Sequence, residues 1–359
     1  MALSFLNTDG TKQRDRMVSV DLGSRTTKAV HVQQRGESLA LCGYVLLDAP
    51  IFEKTLSADL LAEHLKAVGQ ALDAKTKLLT LTVGVNDAVV RHTEMPRMPI
   101  DDMRMVLKLN PKNYLQQELT NYVYDCHLLP IGPSSKPAES TKGGAPAQIK
   151  QRVLAAGARK QLVDDLVTGA RNAGFIADQV VPALIGPANA FERAVPEVFR
   201  SDIVALVDLG FKSSSISILQ QGELVLSRVV GIGGDRLTSG LAETMGVSYA
   251  EAEGIKVGMP SEVQGHLESL LMPLARELRA SIDFYEHQND RTVTAVYITG
   301  GSARSEFIVE RLQQDLMVDC KVLNPANFLQ MDLPPQQMSE IEQVGPQLSV
   351  ALGAALAAL

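Results

Sequence analysis

Tryptophan is absent from this 359-residue chain, and aromatic residues make up only 4% of it. Cysteine is scarce: Cys42, Cys126 and Cys320 stand far apart. Isolated thiols build neither a disulfide framework nor a CxxC metal site, and they fit a reducing compartment. The six histidines show no ligand spacing. No run of about 20 apolar residues occurs, so no transmembrane helix is expected. Residues 1–16 lack the apolar core of a signal peptide. There is no long Lys/Arg run, and the formal net charge is −7. Nucleic-acid binding needs a basic face to neutralise phosphates, so that class is set aside. What is present is an apolar content of 45% and a charged content of 21%. This is the composition of a globular chain long enough for two or more cores.

One phrase occurs twice. Val18-Ser19-Val20-Asp21-Leu22-Gly23-Ser24-Arg25-Thr26-Thr27-Lys28 returns as Val204-Ala205-Leu206-Val207-Asp208-Leu209-Gly210-Phe211-Lys212-Ser213-Ser214. Each copy is an apolar strand, an aspartate, a glycine turn, a hydroxyl-rich stretch and a second strand. The aspartates lie 187 positions apart, about half the chain. One such hairpin per half predicts two similar lobes closing on a shared ligand. Carboxylates, hydroxyls and glycine N–H groups facing each other across a cleft suit a metal-bound polyphosphate.

Periodicity supplies the organisation. Strands are expected over 18–20, 28–32 and 38–45, an amphipathic helix over 59–72, and a strand over 79–83. Residues 84–150 read as an inserted subdomain. It has a strand ending at Pro96, a helix capped by Asp101, and a Pro/Gly/Ser-rich loop, 130–147, expected to be mobile. Helices are expected over 161–173 and 180–194, and through 248–288 with Pro273 breaking the last stretch in two. A polar, Pro-rich loop is expected to lead to the uncharged terminal segment 347–359, which reads as a buried small-residue helix rather than a membrane-touching tail.

Taken together, the two hairpins, Val181-Pro182-Ala183 to Ala190, Ile298-Thr299-Gly300-Gly301-Ser302-Ala303-Arg304 and Leu348 to Ala358 resemble, in order, the phosphate, connecting and adenosine motifs of the actin/Hsp70/sugar-kinase superfamily. Within it the chain is most similar to the PilM family of type IV pilus assembly proteins, relatives of FtsA. Asp21 to Val30, Gly222 to Thr238 with Ala252 to Lys256, and Val90 to Pro99 carry that resemblance. It implies an α/β, actin-like (ribonuclease H-like), duplicated two-lobe fold. The implied division is a flexible N-terminus (1–16), subdomain 1A (17–83 and 151–200), an inserted 1C (84–150), 2A (201–231 and 291–340), 2B (232–290) and a connecting helix (341–359).

The resemblance also implies ATP and Mg²⁺ in the central cleft. Asp21 and Asp208 would hold the metal through water. Gly23, Ser24, Arg25, Thr26, Thr27 and Lys28 would meet the phosphates from lobe I, and Gly210, Ser213 and Ser214 from lobe II. Gly233 and Gly234 would bring backbone to a phosphate at a helix N-terminus. Glu253 and Lys256 would reach ribose and adenine, and Gly300, Gly301, Ser302 and Arg304 would line the adenine. The implied partner is the short cytoplasmic tail of a PilN-like bitopic inner-membrane protein, gripped between 1A and 1C. That would hold the protein at the inner membrane from the cytoplasm. Contacts with other pilus platform proteins and self-association are left open. Val90, His92, Met95, Met98, Met103, Met105 and Tyr114 are the groove candidates. Phe211, Lys212 and Phe307 depart from the family pattern. Val181 stands where chaperone-like hydrolases carry Glu, so turnover is expected to be slow at most. The rival classes are a filament-forming protein like FtsA, a type II secretion scaffold, and a small-molecule kinase with Asp178 or Asp202 as its base.

Overall fold

The computed structural model describes residues 1–6, 14–51, 56–129 and 150–359. The loop expected to be mobile, 130–147, lies outside them. Lobe I opens with a meander of β1 (Arg16–Leu22), β2 (Thr26–Arg35) and β3 (Ser38–Asp48). Alternation splits β1 between two layers. Val18 and Val20 pack on α1 (Ala58–Leu72), while Met17 faces the C-terminal helix on the other side. α1 starts where Ser57 Oγ accepts the Leu60 N–H at 3.3 Å, and buries the stripe Leu61, Leu65, Val68, Leu72. β4 (Leu78–Val83) then pairs parallel to β1.

The inserted unit is a separate sheet. β5 (Ala88–Pro96), β6 (Tyr122–Leu128) and β7 (Lys150–Arg159) pair in the order β5-β7-β6. β7 carries this unit to Arg159, past the boundary drawn at 150. α2 (Ile100–Leu109) and α3 (Pro111–Leu115) cover one face. Pro99, not Asp101, precedes the first helical residue of α2. The other face, with Val90, Leu154 and Ala156, joins the lobe I core.

α4 (Lys160–Asn172) leads to β8 (Ile176–Pro182), the outer strand of a six-stranded sheet ordered β14-β3-β2-β1-β4-β8. Residues 180–182 are therefore strand. The helix expected from 180 begins only at α5 (Gly186–Ala194), after a 3₁₀ turn over Ala183–Ile185. The parallel ladder from β4 holds Val180, Val181 and Pro182 extended.

After α6 (Pro196–Ser201), lobe II repeats the plan of lobe I. β9 (Ile203–Leu209), β10 (Ser214–Gln220) and β11 (Glu223–Val230) form a meander, and β12 (Ala295–Thr299) pairs parallel to β9 as β4 does to β1. β13 (Cys320–Val322) closes that sheet, whose order is β11-β10-β9-β12-β13. α7 (Gly234–Met245), α8 (Tyr249–Gly258), α9 (Gln264–Asn289) and α10 (Glu306–Leu316) surround it. The break expected at Pro273 falls instead at the 3₁₀ turn Pro260–Val263. Pro260 disfavours helix at the residue before it, whereas Pro273 lies on the exposed side of α9, whose buried stripe, Leu267 to Ile282, runs on continuously beneath it.

The chain then returns to lobe I through β14 (Gln330–Met331) and α11 (Pro335–Val344) to α12 (Ser349–Ala358). That return was expected to be loop. α12 is buried almost throughout, so it is a core element rather than a membrane-touching tail. It crosses α5 at glycines: a Cβ on Gly353 would lie 1.8 Å from the Gly186 carbonyl oxygen. No helix among the described residues is long and apolar enough to cross a membrane. The start of the chain also departs from expectation. Leu3 and Phe5 are buried in the lobe I core, so residues 1–6 are not a flexible tail.

Candidate functional site

The β1–β2 register sets Asp21 directly opposite Lys28. Lys28 Nζ lies 3.0 Å from Asp21 Oδ2, and Thr82 Oγ1 of β4 donates to Asp21 Oδ1 at 3.1 Å. The Lys28 ammonium is buried, which lowers its proton affinity. The charge and hydrogen bond of Asp21, with the charge of Asp208, outweigh this and hold its pKa above the ordinary value. Asp208 is the penultimate residue of β9, as Asp21 is of β1. Burial pushes its carboxyl up to about 6; Lys28 opposes the rise and Asp21 adds to it. One cation thus pairs with the carboxylate of lobe I and feels the charge of the carboxylate of lobe II.

Glycines let the backbone pass close to these charged groups. A Cβ on Gly23 would lie 2.6 Å from both Lys28 Nζ and the Thr26 carbonyl oxygen, and one on Gly210 2.6 Å from the Ser213 carbonyl oxygen. Gly300 has φ +93°, and a Cβ there would lie 2.5 Å from Asp208 Oδ1. Its N–H donates to the Pro346 carbonyl at 2.8 Å, joining the β12 turn to the approach to α12. Ammonium, hydroxyl and paired-carboxylate chemistry beside glycine turns fits a polyphosphate carrying a divalent cation. Among the described residues no group of three or more His, Cys, Asp or Glu is placed to hold a metal. A cation here would rest on the two aspartates and on water.

Several expected ligands point elsewhere. Thr27 is fully buried on the far side of β2, with Oγ1 2.8 Å from His64 Nε2 of α1, because strand alternation separates it from Lys28. Ser214 Oγ donates to the Ile232 carbonyl at 2.7 Å. The N–H groups of Gly234 and Asp235 donate to the carbonyls of Gly210 and Phe211, both at 2.9 Å. The start of α7 is therefore capped by the second hairpin loop and does not offer these donors to a phosphate. Gly233 serves that packing, since a Cβ there would lie 2.4 Å from the Phe211 oxygen. Ser302 lines the same seam, Ser24, Gly301 and Arg304 are exposed, and Thr26 is half-buried.

Glu253 and Lys256 are a half-buried cluster rather than a surface pair. Lys256 Nζ lies 2.7 Å from both Glu253 Oε2 and Thr238 Oγ1. Burial pushes the Glu253 carboxyl up, but hydrogen bonds from Lys256 and Thr238 and the charges of Lys256 and Arg25 hold it below its usual value. Arg25 reaches across from lobe I: its guanidinium is 3.1 Å from Glu253 Oε1 and stacks 5.2 Å over the Phe211 ring. Asn86 Nδ2 donates to Ser213 Oγ at 3.2 Å, a second link between lobes. Sequence reading missed Thr82, Asn86 and Thr238. Thr82 had a usable signal, an inward polar residue on the strand predicted to follow the first helix.

The groove candidates divide. Val90, Met95 and Met103 are core residues, the two methionines filling the space between the small sheet and its helices. They offer no surface to a partner. Met98 and Tyr114 are half-buried in the same core, and Met105 is exposed. His92 faces lobe II, its Nε2 donating to the Leu224 carbonyl at 2.7 Å. Arg152 NH1 lies 2.5 Å from Glu223 Oε1 beside it. Asp178, a base candidate for the kinase class, pairs with Arg14 at 2.7 Å. Asp202 accepts from Ser201 Oγ at 2.5 Å.

The family model "Type IV pilus assembly protein PilM" matches residues 19–359. The solved PilM–PilN type IV pilus biogenesis complex is similar at 20% identity with a TM-score of 0.78, covering 97% of this chain and 99% of that one. MreB 5 of Spiroplasma citri, solved bound to AMPPNP, is similar in fold at 9% identity and a TM-score of 0.51, covering 95% of each chain. The cell division protein FtsA of Bacillus subtilis is 21% identical over 255 residues, which span 67% of this chain and 57% of that protein. The fold is actin-like, and the chain belongs to the PilM family of type IV pilus assembly proteins.

Proposed function

We propose that the protein is an ATP-binding scaffold of a pilus assembly platform, and that nucleotide state tunes its hold on the cytoplasmic tail of a PilN-like single-span protein. The observation that carries this reading is the meeting of both lobes at one charged point. Asp21 and Lys28 come from one side, Asp208 from the other, and Arg25 bridges to Glu253. When bound, Mg-ATP supplies a polyphosphate and a cation that both lobes can share. Lys28 would hold a phosphate oxygen by its ammonium, and Asp21 and Asp208 would hold the cation through water. Arg25, now paired with Glu253, would be free to turn to a phosphate, and the interlobe bridge would then weaken.

The likeness to nucleotide-bound MreB 5 and to the PilM–PilN complex supports both halves of the reading. His92 and Arg152 join the small sheet to β11 of lobe II, so movement of lobe II pulls on the unit expected to form one wall of the tail groove. A coupling of about 1–3 kcal/mol is the usual scale of such a link. Val181, buried at the end of β8, places no carboxylate to orient an attacking water, so slow turnover is proposed.

The test is an affinity pull-down from detergent-solubilised membranes, with and without Mg-ATP, read by mass spectrometry. A single-span protein with a short cytoplasmic tail, retained in an ATP-dependent amount, is the expected result. Retention of soluble proteins alone would overturn the tail reading. A brisk metal-dependent ATPase rate from the purified protein would overturn slow turnover.

A further inference from the structure

The first residues of the chain lie where an extended ligand would lie. β8 is an outer strand, so one side of its backbone has no strand partner within the sheet. Residues 2–6 fill the seam between that edge and β6 of the small sheet. The Phe5 N–H donates to the Val180 carbonyl at 2.7 Å, and the Val180 N–H donates to Ser4 Oγ at 3.4 Å. The Ser4 N–H donates to Asp125 Oδ2 at 2.7 Å, and the His127 ring bonds the Ala2 backbone. Asp125 is 3% exposed and held from behind by Arg104, whose Nε and NH2 each lie 2.8 Å from Oδ1. Leu3 and Phe5, alternate residues, both enter the lobe I core, at 2% and 6% exposure.

Backbone pairing along a sheet edge, with alternate side chains in apolar pockets, is how folded domains capture extended peptides. We infer that residues 2–6 are a cis occupant of a peptide groove between β8 and β6, and that an extended apolar tail in trans binds there by displacing them. The identity of that tail rests on the function proposed above; the groove and its occupant do not. Self-occupancy makes the competent fraction small, and apparent affinity falls by that fraction. The scaffold would thus hold a tail only when the tail outcompetes the chain's own segment.

The test uses the full chain and a dye-labelled synthetic peptide of Met1–Leu6, read by fluorescence anisotropy. The double variant Leu3→Ser/Phe5→Ser is expected to bind the peptide about tenfold or more tightly than the wild type does. A double variant with an unchanged circular-dichroism spectrum and no tighter binding overturns the inference. Should that variant fail to fold, Ser4→Pro removes the N–H given to Asp125 and leaves Leu3 and Phe5 unchanged. It is expected to tighten peptide binding by a smaller factor, and affinity equal to wild type would overturn the inference. In the membrane pull-down, a single-span protein retained equally by the wild type and both variants sinks the competition but keeps the proposed function. Peptide binding by the variants, with no single-span protein retained by any form, keeps the groove and sinks the tail reading.

Discussion

Lys28 answers to two carboxylates, and each can be tested alone. Its pair with Asp21 is mostly buried, the side chains being 18% and 9% exposed. Lys28→Met leaves Asp21 with Thr82 as its remaining side-chain partner. Breaking a buried pair costs about 3–5 kcal/mol, and the residual exposure argues for the lower end. Urea denaturation near neutral pH should show that loss, and a change under about 1 kcal/mol would mean that water already screens the pair. Asp208 behaves oppositely. Its carboxyl moves from 3.8 to about 6 on folding, so the folded state binds more protons between those values. Stability therefore falls as pH rises through that window, and the penalty is complete above about pH 6. Asp208→Asn should match wild type near pH 3.5 and exceed it by about 3 kcal/mol at pH 7.5. A variant less stable than wild type at both pH values would refute the assignment. The two aspartates were legible in sequence because each follows an apolar strand and precedes a glycine turn. Thr27 was not, because adjacent hydroxyls look alike until strand alternation assigns each a face.

Among elements, α5 and α12 cross most tightly, and glycine makes the crossing possible. A methyl on Gly353 would overlap the Gly186 carbonyl, and one on Gly186 would lie 2.8 Å from Val350 Cα. Backbone cannot rotate away as a side chain can. Gly353→Ala should therefore cost about 3 kcal/mol or more, at the upper end of overpacking effects. A melting temperature within about 2 °C of wild type would show that the helices can slide apart at little cost. Gly254, with nothing within 4 Å of an added Cβ, is the control, and Ala there should be neutral or stabilising. The helices around these glycines were readable from composition, but the start of α5 was not. Val180 to Pro182 satisfy a helical pattern in isolation, and only the ladder with β4 makes them strand.

For the whole molecule, the question is how firmly the lobes are closed. The Arg25–Glu253 bridge is weak by its exposure, with side chains 43% and 23% accessible, and such pairs contribute about 0–1 kcal/mol. Arg25→Ala should thus leave the melting temperature almost unchanged while raising the radius of gyration in small-angle scattering, as the lobes part. An unchanged radius would show that Asn86–Ser213 and the core contacts hold the angle without Arg25. Arg152→Ala should leave tail binding intact and reduce its response to Mg-ATP, measured by titration calorimetry in both nucleotide conditions. An undiminished response would mean that coupling bypasses the Arg152–Glu223 and His92–Leu224 links.

The sequence by itself determined the duplicated two-lobe plan, the paired aspartates, the glycine turns and the family. Each of these is a local pattern: apolar alternation, a turn residue and a hydroxyl run need only neighbours in the chain. Tertiary structure decided which side of a strand a hydroxyl faces, that Met95 and Met103 are core, that the start of α7 is capped by loop carbonyls, and that residues 2–6 lie along β8. Those outcomes depend on groups hundreds of residues apart competing for the same buried space and the same backbone donors. No local pattern records who wins that competition.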